Sequence, residues 1–329
     1  MHTFATAFAI TALLSFSACG RSAAHDGPEH EIEELTARME KNGESADLLT
    51  ERAVEYRVLG KLPEATKDLE RAAVLDPDSM AIHRELGRVY FLAAKPEEAI
   101  ATVTRGLRLT TDEPAELASL RILRAEILRS LNDNKRAAED ADAAIALHKK
   151  NPEWYLLRSG IHRRLKAHQE RLAGIEAGLK ETGAGVLVIE RVEALLDAGQ
   201  FEAALMNIGT ELEDSRIKSS WQIRRARALL GLRRKSEAEA SLKAALAEIG
   251  TRLNAKTADV SLLLDRALAH ELLDEKKEAL RAYEDARDKG GGETLNDKIK
   301  ALQEAITPKA APLSEPNATK EKSGPGVKP

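Results

Sequence analysis

From residue 46 onward, apolar side chains recur at helical spacing with polar ones between them, and the arrangement returns about every 34 residues. Leu86-Gly87, Tyr90 and Ala99 stand where Arg52-Ala53, Tyr56 and Ala65 stood one period earlier. Aligned on this echo, the chain divides into seven units at 46–79, 80–113, 118–151, 152–184, 185–218, 219–252 and 260–293, separated by short insertions at 114–117 and 253–259. Columns counted from the first residue of each unit test the alignment. The eighth holds Ala53, Gly87, Ala125, Ser159, Val192, Ala226 and Ala267, and the twentieth holds Ala65, Ala99, Ala137, Arg171, Ala204, Ala238 and Ala279. The twenty-seventh is small except for Glu211, and the twenty-fourth is mostly bulky, with Leu69, Val103, Ile175, Ile208, Leu242 and Tyr283. Small columns opposed to large ones let two helices pack at about 8–10 Å. The pattern predicts an all-α chain of paired helices, with Arg171 and Glu211 out of place at columns expected to be buried.

The flanks follow from the same signals. Ile32, Leu35 and Met39 predict a helix over 30–43 that ends at Asn42-Gly43. No proline lies between Trp154 and Thr307, whereas five of the eleven fall from Pro308 to Pro329. Residues 294–307 therefore read as a polar capping helix, and the Lys-containing tail at 308–329 as disordered.

These columns resemble those of the tetratricopeptide repeat family, a helix-turn-helix unit of about 34 residues with small residues at the eighth, twentieth and twenty-seventh places. Tyr56 and Tyr90 take the family's aromatic place in the first helix of the unit, and Pro77 takes the proline that ends the second. The resemblance covers residues 46–293 and implies a right-handed α-solenoid that presents a long surface to protein or peptide partners and carries no catalytic centre.

The first residues carry a different signal. Phe4 to Leu14 form an apolar run too short to span a bilayer, and Ser17, Ala18 and Cys19 follow it. Cys19 is the only cysteine, so no intrachain disulfide and no cysteine-based metal site is possible. Phe16-Ser17-Ala18-Cys19 resembles the lipobox of bacterial lipoproteins. That resemblance implies a signal peptide at 1–18, lipidation of Cys19, a polar tether at 19–29 and anchoring to the lipid bilayer of the cell envelope. A cut after Ala24 is the other reading, and it yields a soluble periplasmic or secreted protein.

Charge narrows the partners. Fifty basic residues face 54 acidic ones, a balance that does not suit a nucleic-acid binder. Aromatics make up only 3%, so the core rests on Ala and Leu in close helix contacts. His270-Glu271 and His30-Glu31 begin the two-histidine zinc pattern, but Asp274 and Glu34 stand where the second imidazole belongs. His162 and His270 fall in the eleventh column with Tyr56 and Tyr90, which predicts packed side chains. Gly290-Gly291-Gly292 lacks both the preceding strand and the following Lys-Ser or Lys-Thr of a phosphate loop. No metal, cofactor or reaction is expected.

The remaining candidate is the wall that the family builds from the first helix of each unit. Mapped onto this sequence, it carries Arg57, Arg84, Arg88, Arg129, Arg163, Arg164 and Arg227, interleaved with Val54, Phe91, Leu92, Ile122 and Leu156. Arginines grip carboxylates bidentately, so an extended peptide with acidic groups is the expected ligand. Glu126, Glu193 and Glu271 share the wall, and pairing of the arginines with nearby glutamates is the alternative. Val186, Ile189 and Leu196 offer a second apolar strip. The function expected is that of a non-catalytic scaffold or adaptor of the bacterial envelope. The second expectation is a structural part of an envelope assembly (secretion, pilus or outer-membrane biogenesis) held by its outer face and caps.

Overall fold

A computed structural model describes residues 27–109, 113–253 and 259–306. Residues 1–18, read from sequence as a signal peptide, Cys19, most of the expected tether and the expected tail at 308–329 lie outside the described residues. Within them the chain is all-α, with sixteen α-helices and no strand. After α1 (Pro28–Asn42) the helices pair into hairpins: α2 (Ala46–Val58) with α3 (Leu62–Leu75), α4 (Met80–Leu92) with α5 (Pro96–Gly106), and α6 (Pro114–Ser130) with α7 (Asn134–Leu147). Next come α8 (Pro152–Leu165) with α9 (His168–Thr182), α10 (Gly185–Asp197) with α11 (Phe201–Asp214), α12 (Ser219–Gly231) with α13 (Lys235–Leu253), and α14 (Val260–Leu272) with α15 (Lys276–Ala286). A π-helical turn at Arg287–Gly291 leads to α16 (Asn296–Ile306). Residues 114–117, read from sequence as an insertion, form the first turn of α6, because Pro114 is pre-set for a helix start.

The first helix of each hairpin is called A and the second B. Ser45, Ser79, Asn151 and Asp259 cap the A helices α2, α4, α8 and α14, each side chain accepting a backbone N–H of the first turn. The turn between A and B is the same in all seven hairpins. The N–H of the sixteenth column donates to the carbonyl of the eleventh, as in Lys61 to Tyr56 at 2.8 Å, Ala167 to His162 at 3.0 Å and Glu275 to His270 at 2.9 Å. This is a Schellman closure, and it forces the fifteenth column into the left-handed region. Gly60, Ala94, Asn132, Lys166, Gly199, Arg233 and Asp274 all have φ between 56° and 72°.

The small columns are the core. Every residue of the eighth and twentieth columns is buried, including Val192 and Arg171, and the bulky twenty-fourth column packs between them. Gly87 and Gly106 serve contact rather than backbone freedom. A methyl on Gly87 would overlap Val103, and one on Gly106 would sit 2.9 Å from His83 Cβ. Glu211, at the twenty-seventh column of the fifth hairpin, is only half-buried, so the position expected to be covered is open to solvent there.

A second regularity is polar. The seventh column is Arg in every hairpin but the second, where Leu86 stands. Arg52 forks onto Asp68 with bonds of 2.7 and 2.9 Å and reaches Thr36 of the preceding helix at 2.9 Å. Arg124 repeats this on Asp140, at 2.6 and 2.8 Å, and on Thr104 of the preceding hairpin at 3.3 Å. Arg158 reaches back to Asp142 and Arg191 to Glu176, both at the twenty-fifth column of the hairpin before. Arg52, Arg124, Arg158 and Arg191 therefore each tie a hairpin to the element before it, whereas Arg266 pairs with Asp285 of its own hairpin, and Asp68 and Asp140 are buried only because the fork satisfies them.

The described residues separate into two compact units, one of 27–213 with 231–233 and one of 214–230 with 234–306. In the N-terminal unit, A helices of successive hairpins touch directly (α2 with α4, α4 with α6, α6 with α8, α8 with α10), whereas a B helix meets the next hairpin through its A helix. The layer whose members meet is the shorter one, so the A helices line the inner wall of this stack. In the C-terminal unit, α16 covers α15, and Lys298 Nζ holds Glu271 of α14 at 2.6 Å, as a cap must hold the last repeat.

Candidate functional site

The inner wall of the N-terminal unit presents the A-helix arginines in two groups with different surroundings. Arg57 of α2 approaches Glu85 of α4 at 3.3 Å, Arg84 lies 3.5 Å from the same carboxylate, and Arg84 Nη1 donates to both oxygens of Glu116 on α6 at 3.0 Å. This is a ladder of alternating charge across three helices. Arg57 and Arg84 are thus already engaged, because Glu85 and Glu116 stand within reach on the next A helix.

The second group is Arg88 on α4, Arg129 on α6, and Arg163 and Arg164 on α8. Among the described residues Arg88, Arg129 and Arg163 make no ion pair, and Arg164 Nη1 donates to the carbonyl of Arg129 at 2.9 Å. Arg129 crosses in the opposite direction and lies over Gly160 of α8, where its Nη1 is 3.6 Å from the place a Cβ would occupy. The two guanidiniums interlock α6 with α8 without neutralising one another. Burial, then Arg164, then Arg163, push the Arg129 pKa down, and Glu126 alone opposes them. Glu126, one turn earlier on α6, is pushed up by burial; Arg88 and Arg129 pull it back, and Glu153 of α8 adds to the rise. Four guanidiniums here face two carboxylates, so the wall carries surplus positive charge where solvent is partly excluded.

Apolar side chains border the cluster. Val58, Leu92 and Leu131, at the ends of α2, α4 and α6, are 57%, 53% and 42% exposed, and Phe91 is half-buried against the core. Ile122 is not among them. It is 8% exposed and packed with Ala118, Ala125 and Leu157, so it cannot meet a ligand as the sequence mapping expected. Leu196 is likewise buried, which leaves only Val186 and Ile189 exposed of the second strip. Arg227 lies on α12 in the C-terminal unit and has an interaction of its own, so it is not part of this cluster. Glu271 is held by Tyr283 Oη at 2.9 Å and by Lys298.

His162 is 6% exposed, and neither ring nitrogen has a hydrogen-bond partner among the described residues. Burial first, then Arg158, holds its pKa down, so it packs as a neutral ring. Arg171, the residue out of place in the twentieth column, is wholly buried and fully used. Nε donates to Ser159 Oγ at 2.9 Å, Nη1 to Asp197 at 2.7 Å and Nη2 to Glu190 at 2.6 Å, while Ser159 Oγ donates to Glu190 at 2.5 Å. Sequence reasoning missed Glu85, Glu116, Glu190 and Asp197 as partners. Their only signal was an acidic residue on the A helix that follows each arginine.

The comparisons with known proteins agree with this architecture. The family model of the tetratricopeptide repeat matches residues 50–114 and 122–178. The Hsp70-Hsp90 organizing protein of Triticum aestivum is 26% identical over 170 residues, which takes in 51% of this chain and 28% of that protein. The chain thus spans little more than a quarter of the curated relative it matches. A tetratricopeptide repeat protein from Parabacteroides merdae superposes with a TM-score of 0.57 at 15% identity, covering 84% of this chain and 99% of that one. A chain of the APC/C hetero-tetramer Cut9-Hcn1 gives a TM-score of 0.48 at 15% identity, over 75% of this chain and 46% of its own. The chain carries tetratricopeptide repeats at residues 50–114 and 122–178 and shares the all-helical fold of proteins built from them.

Proposed function

We propose that this protein is a non-catalytic interaction scaffold of the bacterial cell envelope, binding peptide or protein segments on the inner A-helix wall of its N-terminal unit. The observation that carries the proposal is the excess of cations in the cluster of Arg88, Arg129, Arg163 and Arg164, where Glu126 and Glu153 offset only part of the charge and the partly buried Arg129 makes no ion pair, so an acidic group on a partner would relieve it. The name of the wheat relative, an organizer of two other proteins, supports a protein partner over a small substrate. Export and acylation at Cys19 rest on the lipobox-like run Phe16-Ser17-Ala18-Cys19, and two or more acyl chains anchor a protein stably. Incorporation of labelled palmitate into the wild type and not into Cys19→Ala checks the anchor; equal labelling refutes it.

Crosslinking in cells followed by quantitative mass spectrometry tests the interaction role. Because Arg84 is engaged by Glu116, the informative variant is Arg88→Glu with Arg163→Glu, compared with Lys67→Glu and Lys180→Glu on the exposed B-helix face. Partners lost only from the inner-wall variant support the scaffold reading. Partners lost only from the outer-face variant favour the structural envelope component, and identical recovery in all three removes the proposed site.

A further inference from the structure

The seventh-column arginines share one habit, and one of them departs from it. Arg52 and Arg124 fork onto Asp68 and Asp140 at the twenty-third column of their own hairpins, Arg158 and Arg191 reach carboxylates of the hairpin before, and Arg266 takes Asp285 of its own. Arg225 of α12 makes no ion pair among the described residues. Its own twenty-third column holds Ser241 in place of Asp, and the twenty-fifth column of the preceding hairpin, which elsewhere supplies Asp142 and Glu176, holds Gly209. Glu237 of α13 is close but taken. Arg234 forks onto both of its oxygens at 2.7 and 2.6 Å, and that fork, more than the more distant Arg225, holds its carboxyl down.

Arg225 lines a cleft of about 230 Å³ within the C-terminal unit, with Gln222 one turn before it on α12 and Glu237, Ala240, Ser241 and Ala244 across from it on α13. Gln222 Oε1 is buried and accepts no hydrogen bond among the described residues. Ser241 is only 5% exposed, and its hydroxyl makes none there either. A carboxylate suits the place that Asp68 and Asp140 take in their own hairpins, where Arg225 and the Ser241 hydroxyl would both donate to it. Gln222 then calls for an N–H or O–H close to that carboxylate, because side chains three apart on a helix are neighbours at about 5–6 Å. The cleft amounts to the volume of about eight waters at roughly 30 Å³ each, so its occupant has few heavy atoms.

We infer that the α12–α13 cleft binds a small α-hydroxy or α-amino acid, whose carboxylate lies on Arg225 and Ser241 as the missing aspartate would, and whose hydroxyl or ammonium donates to Gln222 Oε1. The site belongs to the other unit from the inner wall proposed above, and neither reading depends on the other.

The probes are glycolate and glycine, with propionate as the isostere that lacks the donor, and saturation-transfer NMR on the purified full chain reads their binding. Glycolate or glycine is expected to saturate the site at roughly millimolar concentration and propionate to need about tenfold more. The tighter of the first two tells a hydroxy acid from an amino acid. Arg225→Gln lowers the affinity roughly tenfold, and Gln222→Leu brings glycolate and glycine down to the level of propionate. Ser241→Asp restores the aspartate of the first and third hairpins, so it is expected to abolish binding while the melting temperature stays at or above that of the wild type. That variant keeps the test decisive even if Arg225→Gln disturbs folding. No saturable binding of glycolate or glycine by roughly 50 mM, propionate as tight as the better of the two, or affinity unchanged in Ser241→Asp overturns the inference.

Discussion

Arg171 Nη2 and Glu190 Oε1 lie 2.6 Å apart across the boundary between the fourth and fifth hairpins, at a column that alanine fills in the other six. The guanidinium replaces close packing with a hub that also holds Asp197 and Ser159. Burial opposes the charge on Arg171, and Glu190 and Asp197 outweigh it, leaving its pKa raised.

Arg171→Ala therefore does not restore the repeat. It strands Glu190 and Asp197 and opens a cavity, and the expected loss is about 2–4 kcal/mol in urea unfolding. Adding Glu190→Gln to Arg171→Ala should recover part of that loss. A stability equal to or above wild type for Arg171→Ala alone would show that the hub is dispensable.

The shared turn makes a prediction of opposite sign at two equivalent positions. Ala94 has φ 57°, a left-handed backbone that a Cβ opposes, whereas Gly60 occupies the same place in the first hairpin with φ 72°. Ala94→Gly is expected to stabilise by about 0.5–1 kcal/mol and Gly60→Ala to destabilise by about 1 kcal/mol. Thermal melts of the two variants decide it, and shifts in the same direction contradict the strain argument.

Asp265 on α14 provides a pH test. Burial pushes its carboxyl up to about 6, against the pull of Arg224 and Arg252, and Asp259 adds to the rise. A raised carboxyl contributes stability that is full below its unfolded value near 3.8 and is lost as pH climbs through about 6. Asp265→Asn cannot ionise. It should raise the melting temperature at about pH 7.5, with a ceiling of about 3 kcal/mol, and leave it nearly unchanged at about pH 3. An equal shift at both values would mean that packing, not ionisation, sets the effect.

Much of this molecule is legible in its sequence. Ala53, Ala65 and their counterparts recur because helix contact leaves no room for more, and size is a property that a sequence displays directly. The turn at the fifteenth column is not legible, since Gly60, Ala94, Asn132, Lys166, Gly199, Arg233 and Asp274 share no chemistry. Hairpin packing imposes that conformation and overrides residue preference. The inner wall was half legible. Its arginines were placed by column, but Arg57 and Arg84 are engaged by Glu85 and Glu116 on the next A helix, a relationship that depends on how successive A helices are offset. Ile122 was misplaced for the same reason: the fifth column faces the core where α6 meets α7 and α8.

The arginines of the seventh column make the joints between hairpins unequal. Where Arg124 meets Thr104 the seventh-column tie is neutral on one side, where Arg158 meets Asp142 and Arg191 meets Glu176 it is an ion pair, and where Leu86 stands the column makes no polar tie and Arg57 with Glu85 bridges the hairpins instead. Rising ionic strength weakens the exposed ion pairs more than the neutral contact. The protein is in this respect a graded spring, whose joints brine slackens by unequal amounts.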